Sequence, residues 1–241
     1  MGDHSRSLPY QNFYEFSVDK GFTVFAFDLR GHGESEGRRM YIESWDDYLK
    51  DVDVVVSNIS SRFDKPLFLV GLSMGGLIAI NYALNHSNRI DGVVAVAPAL
   101  SADGASPIVR KAMKAISRIA PKLSLPSGLD LSEITRDAYA ASVYTSDPLF
   151  QTKVTARLGA EVISAIDQVQ ARAGDVGVPT LIIHGEADRI SPINGSERFV
   201  ANSTRTIDYQ KIEGAFHNLF IETNKDQVLR SISDWIGEQI D

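Results

Sequence analysis

Apolar positions along the chain follow two rhythms. Short unbroken apolar or β-branched runs occupy 22–27, 67–70, 93–97, 180–183 and 206–212, a pattern that suits strands covered on both faces of a parallel sheet. Between them, 44–62, 75–85, 192–200 and 225–240 carry apolar residues at helical spacing. Strands alternating with helices predict an α/β chain built on a mainly parallel sheet with helices on both faces.

The interval 98–178 breaks that rhythm. It is long, lacks a convincing strand and reads as two or three helices joined by turns bearing Pro and Gly. This predicts a helical cap over 98–178, inserted after the strand that follows the helix at 75–85, with 1–97 and 179–241 forming the core. Inside the cap, Ile108, Val109, Ala112, Met113, Ile116 and Ile119 recur at steps of three and four. Arg110, Lys111, Lys114, Arg118 and Lys122 accompany them with no acidic residue between 106 and 125. Such a helix suits a lipid interface. It better suits a cap helix with its apolar side on the core and its charges in water.

Composition narrows the function classes. The 241 residues fit one α/β domain with an insertion. With 24 basic against 31 acidic residues and a net charge of −7, the chain has the wrong sign for a nucleic-acid binder. Zero cysteines exclude disulfides, thiolate metal sites and a cysteine nucleophile. Apolar runs fall far short of the ~20 residues of a bilayer span, and the start of the chain lacks a signal-peptide core. A cytoplasmic chain is expected, peripheral to a membrane if the basic cap helix lies on lipid.

The chemistry centres on Gly71-Leu72-Ser73-Met74-Gly75-Gly76, set between an apolar run and a helical one. A GxSxG segment between strand and helix has the layout of a nucleophile elbow, where small flanking residues relieve the crowding of a sharp turn. Serine then needs a base within hydrogen-bond reach and an acid to orient that base. His217 follows the last expected strand, and Asp188 follows the one before it. Ser73, Asp188 and His217 therefore stand in the order nucleophile, acid, base, each after a strand. His184 reads as a strand-end residue, His32 as a loop-fixing residue between Gly31 and Gly33, and His4 and His86 as surface residues. No HExxH segment or metal-ligand cluster occurs, and GLSMGG lacks the lysine of a phosphate loop. Neither a metal nor a cofactor is expected.

Five segments, DLRGHGESEG, GLSMGG, YTSDPL, HGEADR and EGAFHNLF, stand in this order along the chain. Together they resemble the monoacylglycerol lipase and lysophospholipase group of α/β hydrolases. The resemblance implies the α/β-hydrolase fold and a serine hydrolase that cleaves an ester of one acyl chain, most naturally a monoacylglycerol. It implies Ser73 as nucleophile, His217 as base then acid, Asp188 as orienter, and the N–H of Met74 as one oxyanion donor. The second donor follows a His-Gly pair in the family's HGxGxHS segment, which aligns Met1 with the donor position. Tyr144 resembles a cap tyrosine facing the alcohol, and Asp3 an acidic neighbour. Leu72 stands beside the serine where the family very often has histidine. Arg6 and Ser7 depart from the family's usual spacing of a basic residue.

By the same resemblance, a strand preceding Met1 lies between those at 22–27 and 67–70, which places a natural start roughly 30 to 45 residues upstream. Without that strand, the expectation is an unstable chain or direct pairing of its two neighbours. Two other functions stay open here: a lysophospholipase or general carboxylesterase, and a catalytically crippled homologue that binds lipid.

Overall fold

The computed structural model describes residues 4–103, 106–205 and 207–240. Its main sheet holds four parallel strands, β1 (Phe68–Leu72), β2 (Gly92–Val96), β5 (Thr180–Gly185) and β6 (Asp208–Ile212), in the order β1-β2-β5-β6. The helices are α1 (Leu8–Asp19), α2 (Asp46–Ser60), α3 (Met74–Asn85), α4 (Pro107–Ile119), α5 (Ala138–Thr145), α6 (Ala156–Ala171), α7 (Asn194–Asn202) and α8 (Lys225–Ile240). A short antiparallel pair, β3 (Ser124–Pro126) and β4 (Lys153–Thr155), lies in the interval between β2 and β5.

Unbroken apolar strands follow from burial on both faces. In β2, Val93 and Ala95 pack into a cluster with α2, α3 and α6, while Val94 and Val96 pack into a second cluster with α1 and α8. In β5, Ile182 joins the first cluster and Leu181 and Ile183 the second. Successive side chains point to opposite faces, so each face needs its own layer of helices.

Several elements sit where the pattern placed them, within a residue or two. Others do not. Helix α1 went unforeseen, although Ser7 followed by Pro9 in the first turn is a helix-start signal. The β3–β4 pair puts two three-residue strands where none was expected.

The segment 22–27 differs most: it forms no strand, and Phe25 and Phe27 are 43% and 37% exposed. A strand exists only where a neighbour supplies hydrogen bonds. Among the described residues β1 pairs with β2 alone, and a cavity of about 570 Å³ is lined by both 22–29 and β1. The two segments do not pair directly, contrary to the expectation for a chain without an intervening strand.

Candidate active site

Ser73 sits between the end of β1 and the first residue of α3. Its φ of 54° and ψ of −115° fall in a region disfavoured for any residue with a side chain. The turn is held by Ser73 N–H donating to Val96 O at 2.9 Å, and by Leu77 and Ala99 N–H donating to Ser73 O. A Cβ at Gly71 would lie 2.3 Å from the backbone of Gly75, so the chain can double back only over glycine. Gly75 differs: a Cβ there meets nothing within 4 Å. Met74 opens α3, where the first N–H groups have no intrahelical partner.

Loops after β5 and β6 bring Asp188 and His217 together. His217 is fully buried, and its Nδ1 donates to Asp188 Oδ2 at 2.7 Å. This leaves Nε2 as the bare ring nitrogen, buried and without a partner among the described residues. The other carboxylate oxygen of Asp188 accepts from Ile190 and Ser191 N–H at 2.9 and 2.8 Å. Burial pushes the Asp188 carboxyl upward, but the hydrogen bonds from His184 and His217 outweigh it and hold the group well below the ordinary carboxylate range.

His184 has both ring nitrogens engaged. Its Nε2 lies 2.8 Å from Ser191 O and 3.1 Å from Asp188 Oδ2. A carbonyl can only accept, so Nε2 carries a proton, and Nδ1 is hydrogen-bonded to Ser196 Oγ at 2.8 Å. The ring contacts the same Asp188 Oδ2 as His217 and has no nitrogen left for a substrate.

Ser73, Met74, Leu72 and Tyr144 line one cavity together with His4 and Ser5, whereas Asp188 and His217 stand outside that lining. Tyr144 is 1% exposed, with its ring 4.8 Å from that of Phe150. Met1 and Asp3 lie outside the described residues. His4 is a correction: it is buried rather than on the surface, and its Nε2 lies 2.8 Å from Asp147 Oδ2 of the YTSDPL segment. His86 is half-buried and stacks on Tyr82 at 4.6 Å. His32 is buried, with Nδ1 donating to Arg30 O at 3.1 Å, and burial pushes its pKa down to about 4. Among the described residues, no three His, Asp or Glu side chains converge on a metal position.

Sequence reasoning missed Glu222. Its carboxylate is fully buried and accepts from Phe216 and Arg136 N–H, both at 3.0 Å, from Thr223 N–H at 2.9 Å and from Arg136 Nε at 2.9 Å. Glu222 thereby pins the residue just before His217 to the segment leading into α5. A glutamate five residues after a histidine carries no motif; only its lack of exposure marks it.

The family model described as serine aminopeptidase, S33 matches residues 1–224. The chain belongs to this S33 family. Among curated relatives, monoglyceride lipase of Mus musculus is 31% identical across 90% of this chain and 74% of its own. Monoacylglycerol lipase of Mycolicibacterium smegmatis is 28% identical, covering 90% and 78%. The crystal structure of Paleococcus ferrophilus monoacylglycerol lipase superposes with a TM-score of 0.92 at 31% identity, covering 99% of this chain and 91% of that one. The S33 assignment fits a serine on an elbow and an Asp–His pair, all at the carboxyl edge of one parallel sheet. The fold is that of the α/β hydrolases.

Proposed function

We propose that the chain is a serine hydrolase cleaving carboxylic esters of a single acyl chain, foremost a monoacylglycerol to fatty acid and glycerol. The observation that carries this is the strained Ser73 elbow at the end of β1, with the Asp188–His217 pair at the ends of β5 and β6. Monoacylglycerol lipases among the relatives support the substrate class.

In this mechanism Ser73 is the nucleophile. Asp188 fixes the tautomer in which His217 Nδ1 is protonated, so Nε2 takes the Ser73 proton as Oγ attacks the ester carbonyl. The Met74 N–H stabilises the oxyanion, the alcohol leaves with the proton from His217, and an acyl-serine remains. Water activated by His217 then releases the fatty acid. Leu72 and Tyr144, on the same cavity as Ser73, contact the substrate.

Residues 98–178 act as a cap. The exposure of α4 supports lipid contact: Ile108, Val109 and Ile119 are 79%, 51% and 87% exposed. Its inner contacts are made by Met113 beside Gly159, and by Arg110 and Lys114 with Asp167. Much of the apolar stripe thus faces outward beside cations, an arrangement suited to an anionic lipid surface.

The decisive experiment compares wild type and Ser73→Ala in fluorophosphonate labelling and in hydrolysis of monoacylglycerol, lysophosphatidylcholine, short p-nitrophenyl esters and an aminoacyl p-nitroanilide. Wild type labels and prefers monoacylglycerol, while the folded variant neither labels nor turns over. Labelling that survives Ser73→Ala, or preference for the anilide, overturns the reading.

A further inference from the structure

The loop that carries His217 runs between β6 and α8 and is gripped by two parts of the chain. One is the core: a Cβ at Gly185, the last residue of β5, would lie 2.4 Å from the carbonyl oxygens of Ala215 and Phe216, and Ala187 N–H donates to Ala215 O at 3.0 Å. The other is the stretch 133–136, which leads into α5. Asn218 N–H donates to Ile134 O at 2.7 Å, and Thr135 Oγ1 donates to Ile221 O at 3.0 Å. Arg136 N–H and Nε donate to the two oxygens of Glu222 at 3.0 and 2.9 Å, and Glu222 also accepts from Phe216 N–H at 3.0 Å.

The loop bearing Asp188 is reached as well. Arg189 Nη1 donates to Glu133 Oε1 at 3.0 Å. Ile190 and Ile221, one from each loop, pack into an apolar cluster with Ile134, Ala140, Tyr144 and Phe150, separate from the two clusters on the faces of the sheet. Both loops are therefore seated on the segment around α5 and not on the core alone.

Asp188 orients the His217 ring through one bond to Nδ1, but one bond leaves the ring free to tilt and the loop backbone free to shift. Backbone outside a helix or strand takes its hydrogen bonds from whatever packs against it. Here the N–H groups on either side of His217, those of Phe216 and Asn218, go to Glu222 and to Ile134 O. We propose that residues 133–136 position the catalytic base, with Arg136 as the positioning residue that locks Glu222 onto the His217 loop.

The chemistry of Arg136 suits that task. Its planar guanidinium presents Nε to Glu222 and, at the same time, Nη2 to Asn224 Oδ1 at 3.3 Å, so one side chain spans two points of the loop. A lysine ammonium could meet Glu222 as a point charge but has no fork with which to hold both. Because Arg136 also gives its backbone N–H to Glu222, both carboxylate oxygens are held by one residue of the α5 segment. A shift of that segment then shifts His217 with it.

The proposal rests on the hydrolase reading, and one of its measurements does not. Well below the melting temperature, Arg136→Ala lowers kcat for p-nitrophenyl butyrate about tenfold or more and leaves KM within about threefold, because a misplacement of about 1 Å can cost 10²-fold. Fluorophosphonate labelling of Ser73 slows with it, and Arg136→Lys regains part of the rate. Val169→Ala, a cavity in the buried packing of α6, lowers Tm but leaves kcat within about twofold. An Arg136→Ala kcat within about twofold of wild type, or an equal loss in Val169→Ala, overturns the proposal. If Arg136→Ala does not fold, Thr135→Val carries the test: a kcat about threefold or more down supports the proposal, and an unchanged one overturns it. Amide exchange at Phe216 and Asn218 speeds about tenfold or more in Arg136→Ala, and unchanged exchange counts against the grip. Wild type that neither labels nor turns over, with that faster exchange in the variant, would remove the hydrolase reading and leave the grip on the loop standing.

Discussion

Glu222→Ala tests whether the loop bearing His217 is held by one buried carboxylate. The substitution removes the acceptor of three backbone N–H groups, those of Arg136, Phe216 and Thr223, and of Arg136 Nε. Unpaired buried donors cost about 1–3 kcal/mol each, and breaking a buried ion pair about 3–5 kcal/mol in all. Because Arg136 is one-third exposed and can turn to water, the lower part of that range, about 3 kcal/mol, is the expectation. For a chain of this length that lowers Tm by about 6–12 °C. The pH dependence gives a second reading. Burial alone would raise the Glu222 carboxyl, but the backbone N–H groups of Phe216, Arg136 and Thr223 and the Arg136 side chain hold it below the ordinary glutamate value of 4.5. A depressed acid contributes stability that is present above its unfolded pKa and lost as pH falls through the folded one. The Tm gap between wild type and variant is therefore full at neutral pH and narrows as pH falls below about 4.5. Thermal melts across pH 3–8, read by circular dichroism, measure both. A variant melting within about 2 °C of wild type at neutral pH would refute the argument.

Two further perturbations separate local effects. Gly71→Ala forces a Cβ onto the Gly75 backbone at 2.3 Å and lowers stability by about 1–3 kcal/mol while suppressing labelling of Ser73. Gly75→Ala, with open space, leaves the 241-residue chain unchanged or stabilised by up to about 1 kcal/mol. Similar melting losses for both would show that the elbow's packing has been misread. On α4, replacing Ile108 and Ile119 with glutamate weakens co-sedimentation with phosphatidylglycerol vesicles by about tenfold or more, since each side chain contributes ~1.5–3 kcal/mol on burial. Hydrolysis of a soluble short-chain ester stays unchanged, because neither residue lines the Ser73 cavity. Wild type that does not sediment with vesicles sinks the lipid-contact proposal.

The sheet was legible because burial on both faces of a parallel strand demands an apolar residue at every position. Runs such as 93–97 and 180–183 have few other homes. The elbow at Ser73 and the hydrogen-bonded Asp188–His217 pair were legible because each of these residues follows such a run, and the ends of parallel strands share one edge. Glu222 and His4 were not legible, and for a different reason. Their roles come from partners 86 and 143 residues away, Arg136 and Asp147, and nothing local to either residue announces them. The apolar stripe of α4 was seen, but periodicity could not say which side it turned. Met113 meets α6 while Ile108 and Ile119 stay exposed.

Segment 22–27 shows where a sequence pattern stops being sufficient. Its composition meets every local requirement of a buried strand, yet it carries no ladder, because strand character is a relation between two chains of backbone and not a property of one. Phe68, Val70 and Leu72 of β1 line the cavity beside this segment, and Phe25 and Phe27 stay exposed. The segment is held by side-chain packing and not by a ladder: Phe22 and Val24 pack against the cluster formed by α1 and α8, while residues 23–28 make no backbone–backbone hydrogen bond among the described residues. Amide exchange at 23–27 is therefore expected to run much faster than at 93–96 and 181–183, where parallel ladders protect the same kind of apolar run, and equal protection in the three segments would refute that account.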